Sequence, residues 1–338
     1  MGLTAATPGI AAAAALVVAA LALAVVFRWR DRLPHAVPNA RSLHDGPMLR
    51  VGGISIWAGF FPVAAAMPGA IPGGGVTLAA VAALAGMSLV DDWRGVHAKT
   101  RLALQLALAT VVAAMLLWPQ RAALPPALPL AAAIAIAALA LAWAANLFNF
   151  MDGSDGLAAA MAVLGFGAYG AAAGFAGAPS AAYWALAAAT IPLFVLNLPP
   201  ARTFMGDVGS VPLGFLAAAV GLAGWRAGTW PGWLPLLVFL PFVADASVTL
   251  AQRLLRGERV WEAHRAHYYQ RLHQLGAGHR GTLLFFGVLM TGTAASALLT
   301  LAFGPAAGWW VLGGWCAAFS LLFAGIDYHW NRRNPDPR

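Results

Sequence analysis

Residues 9–27, GIAAAAALVVAALALAVVF, run for nineteen positions without one charged or polar side chain. A helix of that length rises about 28 Å, close to the roughly 30 Å hydrocarbon core of a bilayer. Comparable runs recur to the end of the chain, at 52–69, 75–90, 102–118, 128–146, 157–177, 181–198, 211–225, 233–252, 282–303 and 306–326. Backbone N–H and C=O groups find no water in lipid, so only helices or a closed β-barrel can cross it. These runs are rich in Ala and Leu and lack the period-2 alternation of barrel strands. The sequence therefore predicts an all-α polytopic membrane protein with about eleven transmembrane helices. Charged residues are 9% of the 338, against about 25% in ordinary soluble proteins.

Charge placement tests that count. No basic residue precedes the first run, whereas Arg28, Arg30 and Arg32 follow it. A cleaved signal peptide has the reverse order, so a first anchor is expected, with the N-terminus outside and the C-terminus cytoplasmic. The loops starting near 28, 91, 147, 199, 253 and 327 then share one side and hold 18 of the 20 basic residues, leaving Arg121 and Arg226 opposite. The positive-inside rule makes the crowded side cytoplasmic. Eleven of the twelve acids also fall there, the exception being Asp245 within a predicted span. One missed helix would scramble this bias. The +8 net charge is thus largely an orientation signal that also suits anionic headgroups or phosphates, and it needs no nucleic-acid partner.

A single cysteine, Cys316, excludes a disulfide framework and a cysteine-based metal site. No repeat or separate soluble domain is visible. Residues 1–338 read as one integral membrane domain whose main cytoplasmic loops are 28–51, 91–101, 147–156, 199–210 and 253–281. Chemistry is expected in those loops and at the helix ends beside them.

Five polar clusters lie on that face. The first, PNARSLHDGPMLRVGG, sets Asn39, Arg41, Ser42 and His44 before the Gly52-Gly53 pair; a basic juxtamembrane loop is its bland reading. In the second, VDDWRGVHAKTRLALQ, Asp91 and Asp92 end the third run and the only lysine, Lys99, follows. Adjacent carboxylates repel and oppose the dipole at a helix C-terminus, so without a cation this is a costly arrangement. The third, NLFNFMDGSDGLA, holds Asn146, Asn149, Asp152 and Asp155. If helical, the three-residue spacing of the last three puts them on one face; Gly153 and Gly156 favour a tight turn equally well. One aspartate could cap the next helix, but capping does not use all four polar groups. The fourth, NLPPARTFMGDVGSVPLG, offers Asp207 or Ser210 as an ordinary N-cap or as a ligand. The fifth, HRAHYYQRLHQLGAGH, crowds His264, Arg265, His267, Arg271 and His273. Zinc is the alternative there, but with arginines alongside and no thiolate, phosphate is the better physical match.

Carboxylate and amide oxygens suit Mg²⁺, with Mn²⁺ as the alternative. Magnesium takes one or two carboxylates and completes its shell with water and substrate phosphates. A Mg²⁺-diphosphate substrate handled at the membrane surface accounts for both the oxygen ligands and the cations.

Asn39-Ala40-Arg41-Ser42-Leu43-His44, Asp91-Asp92, NLFNFMDGSDGLA, FMGDVGS and the His-x-x-His-Tyr-Tyr-Gln-Arg-Leu loop, in that order, resemble the polyprenyl-phosphate N-acetylhexosamine-1-phosphate transferases (MraY/WecA type, glycosyltransferase 4 family). The resemblance runs from about residue 34 to 280. It implies transfer of a sugar 1-phosphate from a UDP-N-acetylhexosamine to undecaprenyl phosphate in the bacterial inner membrane, by a homodimer. It also implies Asp207 and Asn149 as Mg²⁺ ligands and Asp91 and Asp92 at the acceptor phosphate and reaction centre. Asp155 would lie near the uracil, and His264, Arg265 and His267 would bind phosphate or sugar. Asp152, Asn146, Lys99, Arg41 and His44 complete the candidate substrate-binding set. The HRAHYYQRL loop is most similar to enzymes initiating O-antigen or related glycans, with UDP-GlcNAc, UDP-FucNAc or UDP-QuiNAc as donors. The alternative is the peptidoglycan-precursor branch, whose His-rich signature differs. One departure stands out: the family's Pro-Arg-x-Gly-Gly is Leu49-Arg50-Val51-Gly52-Gly53 here.

A different class, an ion-coupled transporter, would place its acids near the bilayer midplane. Only Asp245 is so placed, either as a buried structural acid paired with a neighbouring helix or in a role left open.

Overall fold

The computed structural model describes residues 8–33, 35–36, 48–67, 69–259 and 264–334. Arg41 and His44 lie outside the described residues. The rest is helical apart from one two-residue antiparallel pair, His35–Ala36 with Met48–Leu49.

The helices are α1 (Pro8–Arg28), α2 (Ile54–Ala65), α3 (Gly74–Arg94), α4 (Ala98–Leu117), α5 (Leu130–Phe150), α6 (Leu157–Phe175) and α7 (Ala181–Asn197). They continue with α8 (Asp207–Arg226), α9 (Trp233–Val238), α10 (Leu240–Leu255), α11 (Tyr268–Leu272), α12 (Gly278–Thr300) and α13 (Ala307–Arg333). Every predicted apolar run is helical. Among the described residues eight helical stretches are long and apolar enough to cross a membrane, while Ile54–Ala65 and Ala181–Asn197 are apolar but shorter. The run at 233–252 is not one helix: it breaks at Phe239 between α9 and α10. Pro241 sits in the first turn of α10, where its missing N–H leaves no helical hydrogen bond unmade.

In α1 the buried positions are Ala11, Ala15, Ala19, Leu23 and Val26, one stripe of mostly four-residue spacing. Its small side chains let the helix lie close along α7 and α2, the usual route to helix association in lipid. Ile10, Leu21 and Val25 on its remaining surface are exposed, as a bilayer permits. The most buried helix is α8, which touches α3, α4 and α5 and is buried without a gap from Asp207 through Ala217.

That helix also separates two polar ends. At its C-terminus Arg226 donates to the Gln120 side chain and carbonyl, both at 3.1 Å, beside Arg121. The two basic residues that the charge pattern set apart therefore meet at one end. Asp207 begins the other, where the polar clusters gather.

Candidate functional site

The first and fourth clusters are laid side by side. Phe204 N–H donates to Leu49 O at 2.8 Å, and Gly52 and Gly53 N–H donate to Phe204 and Met205 O at 3.0 Å each. Thr203 Oγ1 adds a bond to Leu49 O at 3.0 Å. Gly206 makes the close approach feasible: its φ is +67°, and an added methyl would overlap the carbonyl oxygen of Arg50. This pairing holds the Arg50 side chain over the start of α8. Arg50 Nη2 donates to Asp207 Oδ1 at 2.8 Å, and its Nε lies 3.4 Å from Asp92 Oδ1.

A second arginine closes the site from α4. Arg101, in the first turn, pairs through Nη1 with Asp91 Oδ2 and stands 3.4 Å from Asp207 Oδ2. Asp91 Oδ1 accepts the Val96 N–H at 2.6 Å, which fixes the turn between α3 and α4. Asp207 is thus bridged by two guanidiniums and makes no N-cap bond, so the capping alternative does not hold for it. Ser210 does not cap either: its Oγ donates to Asn149 Oδ1 at 3.0 Å.

Asp92 is the least satisfied acid. Its side chain is 2% exposed, and no hydrogen-bond partner meets Oδ2 among the described residues. Asp152 is half-buried near Asp207 and Arg50. Burial and the Asp207 carboxylate push the Asp152 carboxyl well above the ordinary aspartate range, against the pull of Arg50 and the Gly206 N–H. Burial disfavours the Arg50 charge, yet Asp207, Asp92 and Asp152 together raise its pKa.

These contacts allow a fit test for a divalent cation. Asp91, Asp92, Asp152 and Asp207 gather against Arg50 and Arg101, four carboxyl groups against two guanidiniums, and burial beside Asp207 keeps the Asp152 carboxyl above its ordinary range. A divalent cation would offset that crowding of carboxylates, and Asp92 Oδ2 has no hydrogen-bond partner among the described residues. Among the described residues no group of three or more His, Cys, Asp or Glu could grip a metal by itself. That suits an ion completing its shell from water and phosphate. The residues fit the group.

Other predicted residues are placed elsewhere. Helix α5 ends at Phe150, so Asn149, Asp152 and Asp155 do not share a helical face, and the turn reading is the one realised. Asp155 is 2% exposed; its Oδ2 accepts the Ala201 N–H at 3.0 Å and its Oδ1 lies 3.6 Å from His279 Nδ1. It anchors the 199–201 turn, and α6 starts from Gly156 with no side-chain cap. Asn146 Nδ2 donates to Gln105 Oε1 and Ala142 O, both at 2.7 Å, tying α5 to α4. Lys99 is exposed in the first turn of α4.

The histidine cluster docks on the end of α5. Tyr269 OH donates to Phe150 O at 3.0 Å, in space that only a glycine at 153 leaves open. His264 is half-buried and stacks on His267 at 4.9 Å, and Arg265 is exposed. Arg271 departs from the expected phosphate-facing group: it is buried and paired with Asp327 of α13. Tyr268 braces the same corner, donating to Asp327 at 3.1 Å and stacking on Phe323 at 3.8 Å. Asp245 is fully buried, with partners in the segment starting at His267.

Sequence reasoning missed Arg50, Arg101 and His279 as members of these networks. Arg50 had a signal, since it keeps the arginine of the Pro-Arg-x-Gly-Gly pattern where Leu49 replaces the proline. Arg101 had a weaker one, ten residues after Asp91 across a short turn.

Carboxylates bridged by arginines thus gather at one end of an all-helical bundle in a multi-pass membrane protein. Residues 75–224 match the family described as Glycosyl transferase family 4. It is similar to the undecaprenyl-phosphate alpha-N-acetylglucosaminyl 1-phosphate transferase of Yersinia pestis, 28% identical over 281 residues, covering 78% of this chain and 74% of the relative. The protein of the same name from Escherichia coli (strain K12) is 28% identical over 285 residues, covering 78% and 73%. The decaprenyl-phosphate N-acetylglucosaminephosphotransferase of Mycobacterium leprae is 28% identical over 309 residues, covering 80% and 77%. By class the chain is a glycosyl-1-phosphate transferase.

Proposed function

We propose that the protein transfers an N-acetylhexosamine 1-phosphate from a UDP-sugar to undecaprenyl phosphate at the cytoplasmic face of the bacterial inner membrane. The step initiates O-antigen or another cell-envelope glycan. The observation that carries this reading is the Asp207 carboxylate bridged by Arg50 and Arg101, beside an Asp92 oxygen with no hydrogen-bond partner among the described residues. The names of the relatives support the choice of a polyprenyl phosphate acceptor and an N-acetylglucosamine donor.

Phosphoryl transfer needs positioning and charge stabilisation more than covalent chemistry. Arg50 and Arg101 stand where the diphosphate oxygens of a donor would meet them. Asp207 and Asn149 would hold Mg²⁺ by sharing the oxygens that now meet Arg50, Arg101 and Ser210, and the ion would neutralise charge on that diphosphate. An acceptor phosphate monoester has a second pKa of about 6 and is mostly dianionic at neutral pH, so no strong base is required. Asp92 takes the last proton from the small monoanionic fraction, and Asp91, locked by Arg101 and Val96, keeps the turn that presents it. An acceptor phosphate oxygen attacks the donor's β-phosphorus, the bond from that phosphorus to the bridging oxygen breaks, and UMP leaves. His264, Arg265 and His267 contact the sugar or its phosphate.

The test uses purified protein with undecaprenyl phosphate, Mg²⁺ and a panel of radiolabelled UDP-sugars, followed by extraction of lipid product. Lipid-linked sugar diphosphate with at least one N-acetylhexosamine donor is the expected result; no lipid product with any donor rejects the reading. Labelled UMP should exchange into the donor only when the lipid acceptor is present. Exchange without it means a sugar-phosphate–enzyme intermediate, and direct attack is then wrong.

A further inference from the structure

Asp245 lies in α10, fully buried, and both its oxygens are used. Oδ1 accepts the Tyr268 N–H at 3.0 Å and the Thr249 hydroxyl at 3.3 Å, and lies 3.1 Å from His267 Nδ1. Oδ2 accepts the Tyr269 N–H at 2.9 Å. A charge in the middle of an apolar bundle is expensive unless hydrogen-bonded throughout, and this one is. All of its partners except Thr249 belong to one short segment, 267–269.

What that segment does decides what Asp245 is for. Tyr269 reaches Phe150 O, one residue past Asn149, and the His267 ring lies 5.9 Å from the Phe150 ring. The carboxylate therefore grips the loop at the point where it meets the end of α5. It also selects a tautomer: an ionised carboxylate only accepts, so His267 Nδ1 must carry a proton. Nε2 is then the ring nitrogen able to accept, on a side chain only 5% exposed.

We propose that Asp245 is a positioning residue which fixes His267 in its Nδ1–H form and holds it at the end of α5 for a phosphate-bearing substrate. This rests on the transferase reading, in which His267 contacts that substrate. Carboxylate partners of this kind set tautomer and ring orientation in histidine-ligand sites, where removing them costs about 10–100-fold in affinity or activity.

Kinetics of Asp245→Asn, His267→Ala and the double variant with UDP-N-acetylglucosamine test the coupling, alongside thermal unfolding in detergent. Asp245→Asn should raise donor KM about tenfold or more with a smaller change in kcat. Added to His267→Ala it should shift KM by less than about threefold, because the pair acts as one unit. An equal KM penalty in both backgrounds, or a loss of stability with KM unchanged, overturns the proposal. Should Asp245→Asn not fold, ¹⁵N-histidine NMR of the unmutated protein decides, with the His267 resonance assigned by its loss in His267→Ala. An Nδ1-protonated ring is expected; a neutral ring protonated only at Nε2 overturns the pairing. That spectrum reads the pair even in a protein that transfers no sugar phosphate, so the two readings fail separately.

Discussion

Replacing Asp207 by Asn keeps the side chain's size and removes one charge from between two guanidiniums. If Asp207 mattered only as the first residue of α8, Asn would serve nearly as well there. As a ligand and arginine anchor it cannot be replaced so simply. We expect transfer at limiting Mg²⁺ to fall by about 10²–10³-fold, the scale of losing one preorganised charge-stabilising group, with the protein still folded by size-exclusion profile. Activity within about threefold of the unmutated enzyme would reduce Asp207 to a structural role. The acids of this site were legible because a carboxylate at the edge of an apolar run stands out when only twelve exist in the chain. Arg50 and Arg101 were hidden for the opposite reason. Orientation alone demands many arginines on that side, so two with specific work look like the rest. Asp155 shows a further limit: an anchor for the Ala201 N–H and a ligand for substrate are written with the same residue type.

At the scale of elements, the apolar runs marked where helices lie but not where they stop. Helix α3 continues through Asp91 and Asp92 to Arg94, α5 to Phe150, and α8 begins at Asp207, all beyond the apolar positions. Hydropathy sees the part in lipid; the polar turns that project past it are helical too. The consequence is functional, because Asp92, Asn149 and Asp207 then stand on rigid helix ends rather than on loops. Helix α11 escaped sequence reading because five residues are too short for a periodic pattern. The joint between 49–53 and 203–206 is equally invisible, since it pairs segments about 150 residues apart through backbone bonds. Gly206 is its weakest point. With φ +67° and ψ 172°, it occupies a region nearly closed to other residues, where strain alone costs on the order of 1–3 kcal/mol. Gly206→Ala should therefore lower the unfolding temperature and, by displacing Arg50 from Asp207, remove most activity. Gly86→Ala, inside α3 where an added methyl meets nothing, is the control and should lower neither, with the unfolding temperature unchanged or raised. Unaltered unfolding and turnover in Gly206→Ala would mean that the close approach to Arg50 is not needed.

For the whole molecule, the two polar ends of α8 turn a charge-counting argument into a spatial one. Arg226 and Gln120 meet at one end, beside Arg121, while Asp91, Asp92, Asp207, Arg50 and Arg101 meet at the other. A UDP-sugar is made in the cytoplasm and cannot cross the bilayer, so the transferase reading requires the second end to face inward. The charge bias gives the same orientation on independent grounds. Cysteine labelling decides it. In a Cys316→Ala background, which removes the one exposed native thiol, single cysteines would replace Lys99, Arg202, Arg265 and Arg121, all exposed positions. An impermeant maleimide added to intact spheroplasts should modify only the cysteine at 121. The other three should react after the membrane is opened, and bound UDP-sugar should slow the reaction at 265 if that loop lies over the donor. Modification at 99, 202 or 265 in sealed spheroplasts would put the carboxylate site outside. The donor could not then reach it, and the orientation and the transferase mechanism would fall together.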